Sequence, residues 1–587
     1  MVDKATHTFA VSCLLMLFNS ITTTPSEALL PQNNSPSLGP LGQVQDVQTP
    51  ATTQPTPPSP ALQLPPPSQL LQPDQGLPTL EQLLPEILYT FTVKQFEIVG
   101  STVFSQKKLN EVLKDFINKP ITFAQLLKAR SKIIEFYNQK GYITSGAYIP
   151  EQTVKNGIVQ IQVVEGELED IQITGTRRLN PNYIRSRIIA NGASNPLNQK
   201  RLLESLQLLQ LNPLIKSLSA KLFAGSRTNT SLLSIKITEA DTFSTKIVLD
   251  NRPPPQSGSF RRQLQVKESN LLGIGDSILL TYSNTDGSNS IDVSYSLPLN
   301  PRNGTFTFRY GNRPENVIEK PFGILDIEST PQRYELTFRQ PLLQTLNQEF
   351  ALGIAAYHRE SQISSSVFEQ EDVPLSLLSP GADAEGNTRV SALRFFQDWT
   401  SRNSQEVIAA RSQFSFGIGA FNATINYTDP DSRFFAWRGQ AQWVRLLAPD
   451  TLLLIRGDVQ LASTKLLTSE QFGLGGVNSV RRYRQDLLLR DNGALVSAEL
   501  RLPILRVPRW KGVLQFTPFV DVGTAWSNSS SRDDTNTLAA VGLGLRWLQG
   551  SNFTAGIEWG IPLFSVDTQG NTWQENGLYF LVQYNPF

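Results

Sequence analysis

Val541-Gly-Leu-Gly-Leu-Arg-Trp547 puts Val, Leu, Leu and Trp on one side of an extended chain and Gly, Gly and Arg on the other. Thr305-Phe-Thr-Phe-Arg-Tyr310 and Gln440-Ala-Gln-Trp-Val-Arg-Leu446 repeat this period of two. Alternation at that period marks a strand with one apolar and one polar environment. Working outward, 241–587 divides into sixteen such segments: 245–252, 261–270, 276–284, 288–299, 304–313, 331–342, 348–362, 388–402, 406–418, 433–447, 451–462, 493–504, 513–526, 538–549, 553–563 and 577–587. The gaps after odd-numbered segments are 8, 3, 17, 25, 14, 30, 11 and 13 residues; those after even-numbered segments are 5, 4, 5, 3, 3, 8 and 3. Short turns at one end, long loops at the other and an even strand count predict an all-β 16-stranded transmembrane β-barrel of the outer-membrane kind. The barrel must close, because lipid offers no partner to an unpaired backbone donor or acceptor. A soluble array of β-sandwiches would not alternate its loop lengths.

Composition bounds the rest. The 587 residues carry 52 Lys+Arg and 51 Asp+Glu, a net charge of +1, so no global field selects nucleic acid. Mean hydropathy is −0.21, and no apolar run of helical membrane-spanning length occurs beyond the extreme N-terminus. Cys13, His7 and His358 are the whole supply of Cys and His. That leaves no material for disulfides, thiolate metal sites or a Cys nucleophile. A Ser-His-Asp arrangement would need His358, in a stretch read as loop-like. No glycine-rich loop followed by Lys-Ser/Thr opens a helix. We expect neither a cofactor, nor a metal, nor an enzyme.

At the N-terminus Lys4 precedes the apolar run Phe9–Phe18, and Ser26-Glu-Ala28 supplies a small-x-small site. This pattern predicts a signal peptide over 1–28. Residues 29–90 are rich in Pro, Gln, Ser and Thr, as in Gln54-Pro-Thr-Pro-Pro-Ser-Pro60, and predict an extended linker.

Between 91 and 240 the sequence duplicates a unit. Phe96-Glu-Ile-Val-Gly-Ser101 is echoed by Ile171-Gln-Ile-Thr-Gly-Thr176. Helical-period segments follow each, at 108–117 and 123–137, then at 181–190 and 200–209. Strands ending each copy include Ile158-Val-Gln-Ile-Gln-Val-Val-Glu-Gly166 and Leu232-Leu-Ser-Ile-Lys-Ile-Thr-Glu239. The expected unit is β-α-α-β-β, an α+β fold, with modules at 91–165 and 166–240. The pair holds 20 Lys/Arg against 11 Asp/Glu.

The two copies, with their Gly100 and Gly175 turns and Val-Glu-Gly ending, resemble polypeptide-transport-associated (POTRA) domains. The longest inferred loop, 463–492, contains Phe472-Gly-Leu-Gly-Gly476 and Ser479-Val-Arg-Arg-Tyr483. It is similar to the Val-Arg-Gly-Tyr motif of the barrel-assembly and two-partner-secretion superfamily, matching at Val480, Arg481 and Tyr483; Arg482 stands where the family has Gly. Phe519-Val-Asp-Val-Gly523, on the thirteenth segment, resembles that superfamily's Phe-x-Asp-x-Gly. The resemblance implies a lumenal loop anchor made of Val480, Arg481, Tyr483, Phe519, Asp521 and Gly523, with Arg481 paired to Asp521. It also implies client docking by strand addition at Ile158, Gln160 and Gln162 and at Leu232, Ser234 and Lys236. Two modules and a barrel together resemble the haemolysin-activator transporters of two-partner secretion. Such a protein recognises an unfolded exoprotein in the periplasm and secretes it through its barrel. Its implied partners are a large secreted β-rich exoprotein, outer-membrane lipid and, through the aromatic end at Phe587, the general barrel-assembly machinery. Family members often carry a pore-plugging helix; none is evident before Phe91, and the proline-rich segment either replaces it or tethers a short helix near Leu80–Thr90. The alternatives are a factor that assembles other barrels, and a passive porin with periplasmic adaptors.

Overall fold

The computed structural model describes residues 71–73 and 90–587, apart from 194, 429, 529–535, 565 and 567–571. The expected signal peptide, and the proline-rich stretch except 71–73 and 90, lie outside the described residues.

In the first module Phe96 and Ile98 point inward from strand Gln95–Val99, and Val159, Ile161 and Val163 from Ile158–Val164. These strands pair in parallel, and Gly146–Tyr148 joins Ile158–Val164 antiparallel on its other side. Helices Gln106–Val112 and Phe123–Gln139 bury Leu109, Leu126, Ile133 and Tyr137 against the sheet. The longer helix begins where it does because Thr122 and Gln125 each accept the other's backbone N–H in a capping box. A short side ladder, Thr90–Val93 with Lys119–Thr122, has no counterpart in the sequence expectation.

The second module repeats the plan. Glu167–Thr174 and Thr230–Glu239 run parallel, and Ile215–Ala224 lies antiparallel on the far side of Thr230–Glu239. Helices Pro181–Asn191 and Gln199–Gln210, N-capped by Asn180 and Asn198, cover one face. Gly100 and Gly175 have φ of +86° and +87°, and a Cβ at either would strike the carbonyl of Val163 or Ile237. The duplicated glutamate has a matching task. The Glu165 carboxylate accepts the N–H of Thr102 (2.9 Å) and Val103 (3.2 Å), and Glu239 accepts those of Arg177 (2.6 Å) and Leu179 (2.9 Å). Each module thereby ties its closing strand to the turn after its first strand.

One strand was not expected. Leu71–Pro73, from the proline-rich stretch, pairs in parallel with Ile215–Ala224 and forms the outer edge of the second module's sheet.

The barrel contains sixteen antiparallel strands. Strand one is Phe243–Asp250 and strand sixteen Leu578–Tyr584. They close the cylinder, Ile247–Asp250 facing Leu581–Tyr584, whereas strand one pairs along its whole length with strand two, Arg261–Ser269. The Asn251 side chain lengthens this seam: its Nδ2 donates to the Leu578 carbonyl (2.8 Å) and its Oδ1 accepts the Phe580 N–H (2.8 Å). Strand thirteen is split into Gly512–Phe516 and Phe519–Trp526 at Pro518, which has no N–H to give the ladder. His358 lies on strand seven, Gln348–Ser365, rather than in a loop. Exposed Leu280, Leu336, Ile354, Phe416, Val522 and Trp559 belong to the outer face. Arg339 with Glu349 (2.6 Å) and Asp398 (3.0 Å), and Arg438 with Asp458 (2.8 Å), belong to the inner face. This is the polarity a lipid-embedded cylinder with a polar lumen requires. Among the described residues no helix is long and apolar enough to cross a membrane.

The second module is fastened to the barrel's short-turn end. Arg178 donates to Glu268 (3.0 Å) and to the Asn270 carbonyl (3.2 Å), and the Asn180 N–H to the Gly273 carbonyl (2.8 Å). Arg187 stacks on Tyr183 and donates to Asn303 (3.1 Å).

Candidate functional site: the lumenal anchor of the sixth loop

The segment between strand eleven (Thr451–Ala462) and strand twelve (Asn492–Val507) folds back into the barrel. Its two arms pair as a small hairpin, Phe472–Leu474 with Leu488–Arg490. Phe472, Leu474, Val480 and Tyr483 are buried together with Leu495, Ala525, Leu538 and Ala540 of the wall. The loop therefore carries its own apolar patch, which seats it on strands twelve to fourteen. Gly523 leaves room there for the Leu474 side chain.

At its tip Arg481 is 2 % exposed and Asp521 fully buried. Arg481 Nε donates to Asp521 Oδ2 (2.7 Å), Nη2 to Oδ1 (2.9 Å), and its own backbone N–H also to Oδ2 (3.1 Å). Nη1 reaches Glu499 (2.6 Å) on strand twelve and Glu558 (3.3 Å) on strand fifteen, Phe553–Pro562. The guanidinium lies over the Phe519 ring, 3.5 Å from its centroid. Such a fork saturates a planar cation on every edge and one face. Once desolvated, neither partner can leave without stranding an unpaired charge.

Tyr483 and its neighbours carry the contact to the far side of the seam. The Tyr483 hydroxyl lies within bonding distance of the carbonyls of Ala539 (3.0 Å) and Phe564 (2.8 Å), and Tyr579 of strand sixteen donates to the Tyr483 carbonyl (2.5 Å). Arg484 pairs with Glu319 (2.7 Å) and Glu575 (3.5 Å), in two other long loops. Arg394 holds the loop's beginning through both oxygens of Glu470. Arg482 adopts φ of +93°, a backbone region that favours glycine. Its side chain fits because Gly560 and Gly577 present no Cβ against it.

The structure brings Val480, Arg481, Tyr483, Phe519, Asp521 and Gly523 into one cluster. It adds Glu499, Glu558 and Tyr579, which sequence reasoning missed. Glu499 stands opposite Phe519 in the strand register, so its inward parity was the available signal. The docking strands need a correction. Thr230–Glu239 is central and paired on both sides, so strand addition cannot occur on its backbone; Ile158–Val164 meets Gln95–Val99 along 158–162 but Gly146–Tyr148 only at 162–164, and on that side the Gln152 side chain bonds the Gln160 N–H and carbonyl (2.7 Å each). Ile158, Gln160 and Gln162, like Leu232, Ser234 and Lys236, instead place side chains on the sheet face opposite the helices. Among the described residues the border strands are Gln95–Val99, whose Phe96 carbonyl and Ile98 N–H are bonded by the Gln106 side chain, and Gly146–Tyr148 in the first module, with Glu167–Thr174 and Leu71–Pro73 in the second.

Comparison with known proteins fits this architecture. The model of the haemolysin secretion/activation proteins ShlB/FhaC/HecB matches residues 229–547. The chain belongs to this family. The ShlB-type POTRA model matches 91–166. The heme/hemopexin transporter protein HuxB of Haemophilus influenzae is 22% identical over 497 residues, 81% of this chain and 84% of its own. The outer membrane transporter CdiB of Dickeya dadantii (strain 3937) is 22% identical over 488 residues, 78% and 81%. The solved structure of CdiB from Escherichia coli superposes with a TM-score of 0.64 at 20% identity, covering 86% of this chain and 93% of that one. The chain is thus an outer-membrane transporter of the two-partner-secretion type, with its modules on the periplasmic side.

Proposed function

We propose that this transporter captures one large, unfolded, β-rich exoprotein with its two modules and threads it through the barrel as the 463–491 loop leaves its seat. The observation that carries this reading is the anchor itself: a buried arginine clamped by three carboxylates holds a long loop across the route. A merely structural plug would need only the apolar patch. A charge clamp adds a bond that is strong when dry and weak once water or a polar client enters. Transport has no nucleotide to draw on, so folding of the client outside supplies the direction. Lipid contacts the apolar outer face, and the alternating, aromatic-rich strand Leu578–Tyr584 supports recognition by the barrel-assembly machinery. The relatives' printed names point to different cargoes, so the cargo is best sought in a neighbouring gene for a repetitive β-rich exoprotein.

The test is Arg481→Ala in cells producing that exoprotein. Secretion should fall at least tenfold while barrel levels in the outer membrane persist; unimpaired secretion rejects the clamp. Steady, wide conductance with no secretion defect on deletion would favour a porin instead.

A further inference from the structure

The second module's sheet is not bare at the edge where an extended client would add. Ile215–Ala224 has Thr230–Glu239 on one side and Leu71–Pro73 on the other, in the register Leu71–Ala220, Gln72–Lys221 and Pro73–Leu222. Among the described residues, the corresponding edge of the first module, Gly146–Tyr148, carries no such strand. We propose that Leu71–Pro73 is a displaceable guard: it covers the client edge of the second module at rest and yields to an exoprotein segment running in the same direction. This rests on the reading of the modules as client receptors.

Three observations support it. The guard is short, and Pro73 lacks an N–H, so it offers few main-chain hydrogen bonds. A client strand spanning all of Ile215–Ala224 would form more of them, which sets the direction of exchange. The sequence flanking the guard is rich in proline, a residue without an amide donor, so its covalent attachment to the first module contributes local concentration in place of a long ladder. The surface beside the edge also has a definite chemistry. Lys221 and Phe223 are exposed on the edge strand, and Lys236, Ser234 and Leu232 lie next to them on the central strand. The register sets Lys221 against Ser234 and Phe223 against Leu232. That face suits an extended segment alternating acidic and apolar side chains, beyond main-chain pairing alone.

The experiment uses the full chain in detergent, with Cys13→Ser so that no native thiol interferes. Gln72→Cys with Lys221→Cys puts cysteines on neighbouring strands about 5 Å apart, within disulfide reach. The disulfide should form on oxidation. The probe is a synthetic peptide copying residues 66–78. A chain with Leu71→Gly, Gln72→Ser and Pro73→Gly should bind it roughly tenfold more tightly than the intact or the oxidised chain, because it lacks the tethered competitor. In cells, the oxidised pair should cut secretion and reductant should restore it. Failure of the disulfide to form, equal peptide binding by intact and substituted chains, or full secretion by the oxidised pair each overturns the guard. If the intact chain exports nothing, the exporter reading fails, while the disulfide and peptide results still decide the guard.

Discussion

Two arginine latches hold this molecule together, and they differ in water. Arg178, at the joint between module and barrel, is half-exposed and pairs with Glu268 at 3.0 Å. Arg481, in the lumen, pairs with Asp521 at 2.7 Å and is almost wholly buried. The distances are similar; the surroundings are not. An exposed pair trades one set of hydrated contacts for another and contributes little. A buried, fully satisfied cation is different: removing either partner strands a charge in a poorly solvated site. The joint can therefore flex at small cost, whereas the loop is either seated or released.

Breaking the buried latch should have the largest effect. Arg481→Ala should destabilise loop seating by about 3–5 kcal/mol, read as new protease cleavage within 463–491 on intact cells. Exchanging the charges sharpens the point. Arg481→Asp with Asp521→Arg should not restore protection, because Glu499 and Glu558 would then face an acidic tip; rescue would mean that Asp521 acts alone. Next comes the Glu239 tie in the second module. Burial would raise its carboxyl, but the amides of Arg177, Leu179 and Arg178 outweigh that and hold it below its ordinary value. A lowered carboxyl contributes stability that is complete above the ordinary carboxylate range and is lost as pH falls through the lowered value. Glu239→Gln should lower the module's thermal midpoint at neutral pH, by an amount equivalent to about 1 kcal/mol, and flatten its decline below about pH 4. Arg482→Gly should stabilise the seated loop by about 1 kcal/mol, seen as slower cleavage; a faster rate would show that the Arg482 side chain outweighs its backbone cost. Arg178→Ala should be smallest, below about 1 kcal/mol, with barrel melting unchanged.

Different parts of this molecule were legible to different degrees. The sixteen strands could be read because lipid outside and polar lumen inside write a period of two into each one, as in Val541–Trp547. The four main helices could be read from their apolar spacing; the caps that start them, such as Thr122 and Asn198, emerge only in the structure. The pairing of Arg481 with Asp521 was reachable only through the family motifs; nothing local in Ser479–Tyr483 states that the loop turns inward. Strand order within the modules was not legible. A central strand such as Thr230–Glu239 and a border strand such as Gln95–Val99 alternate alike, since alternation reports the faces of a sheet and not its borders. Leu71–Pro73 was hidden for a related reason: proline-rich composition argues against regular structure, yet a strand added at a border can tolerate a residue without an amide proton.

The seam between the first and last strands has a mechanical consequence. Most neighbouring staves of the cylinder are stitched along their length, but here the stitches run only from Ile247 to Asp250, with the Asn251 side chain as one further thread. Under heat or lateral tension the wall has a preferred tear line. Because Tyr579 on one lip of it holds the Tyr483 carbonyl, the tear and the unseating of the loop are coupled movements.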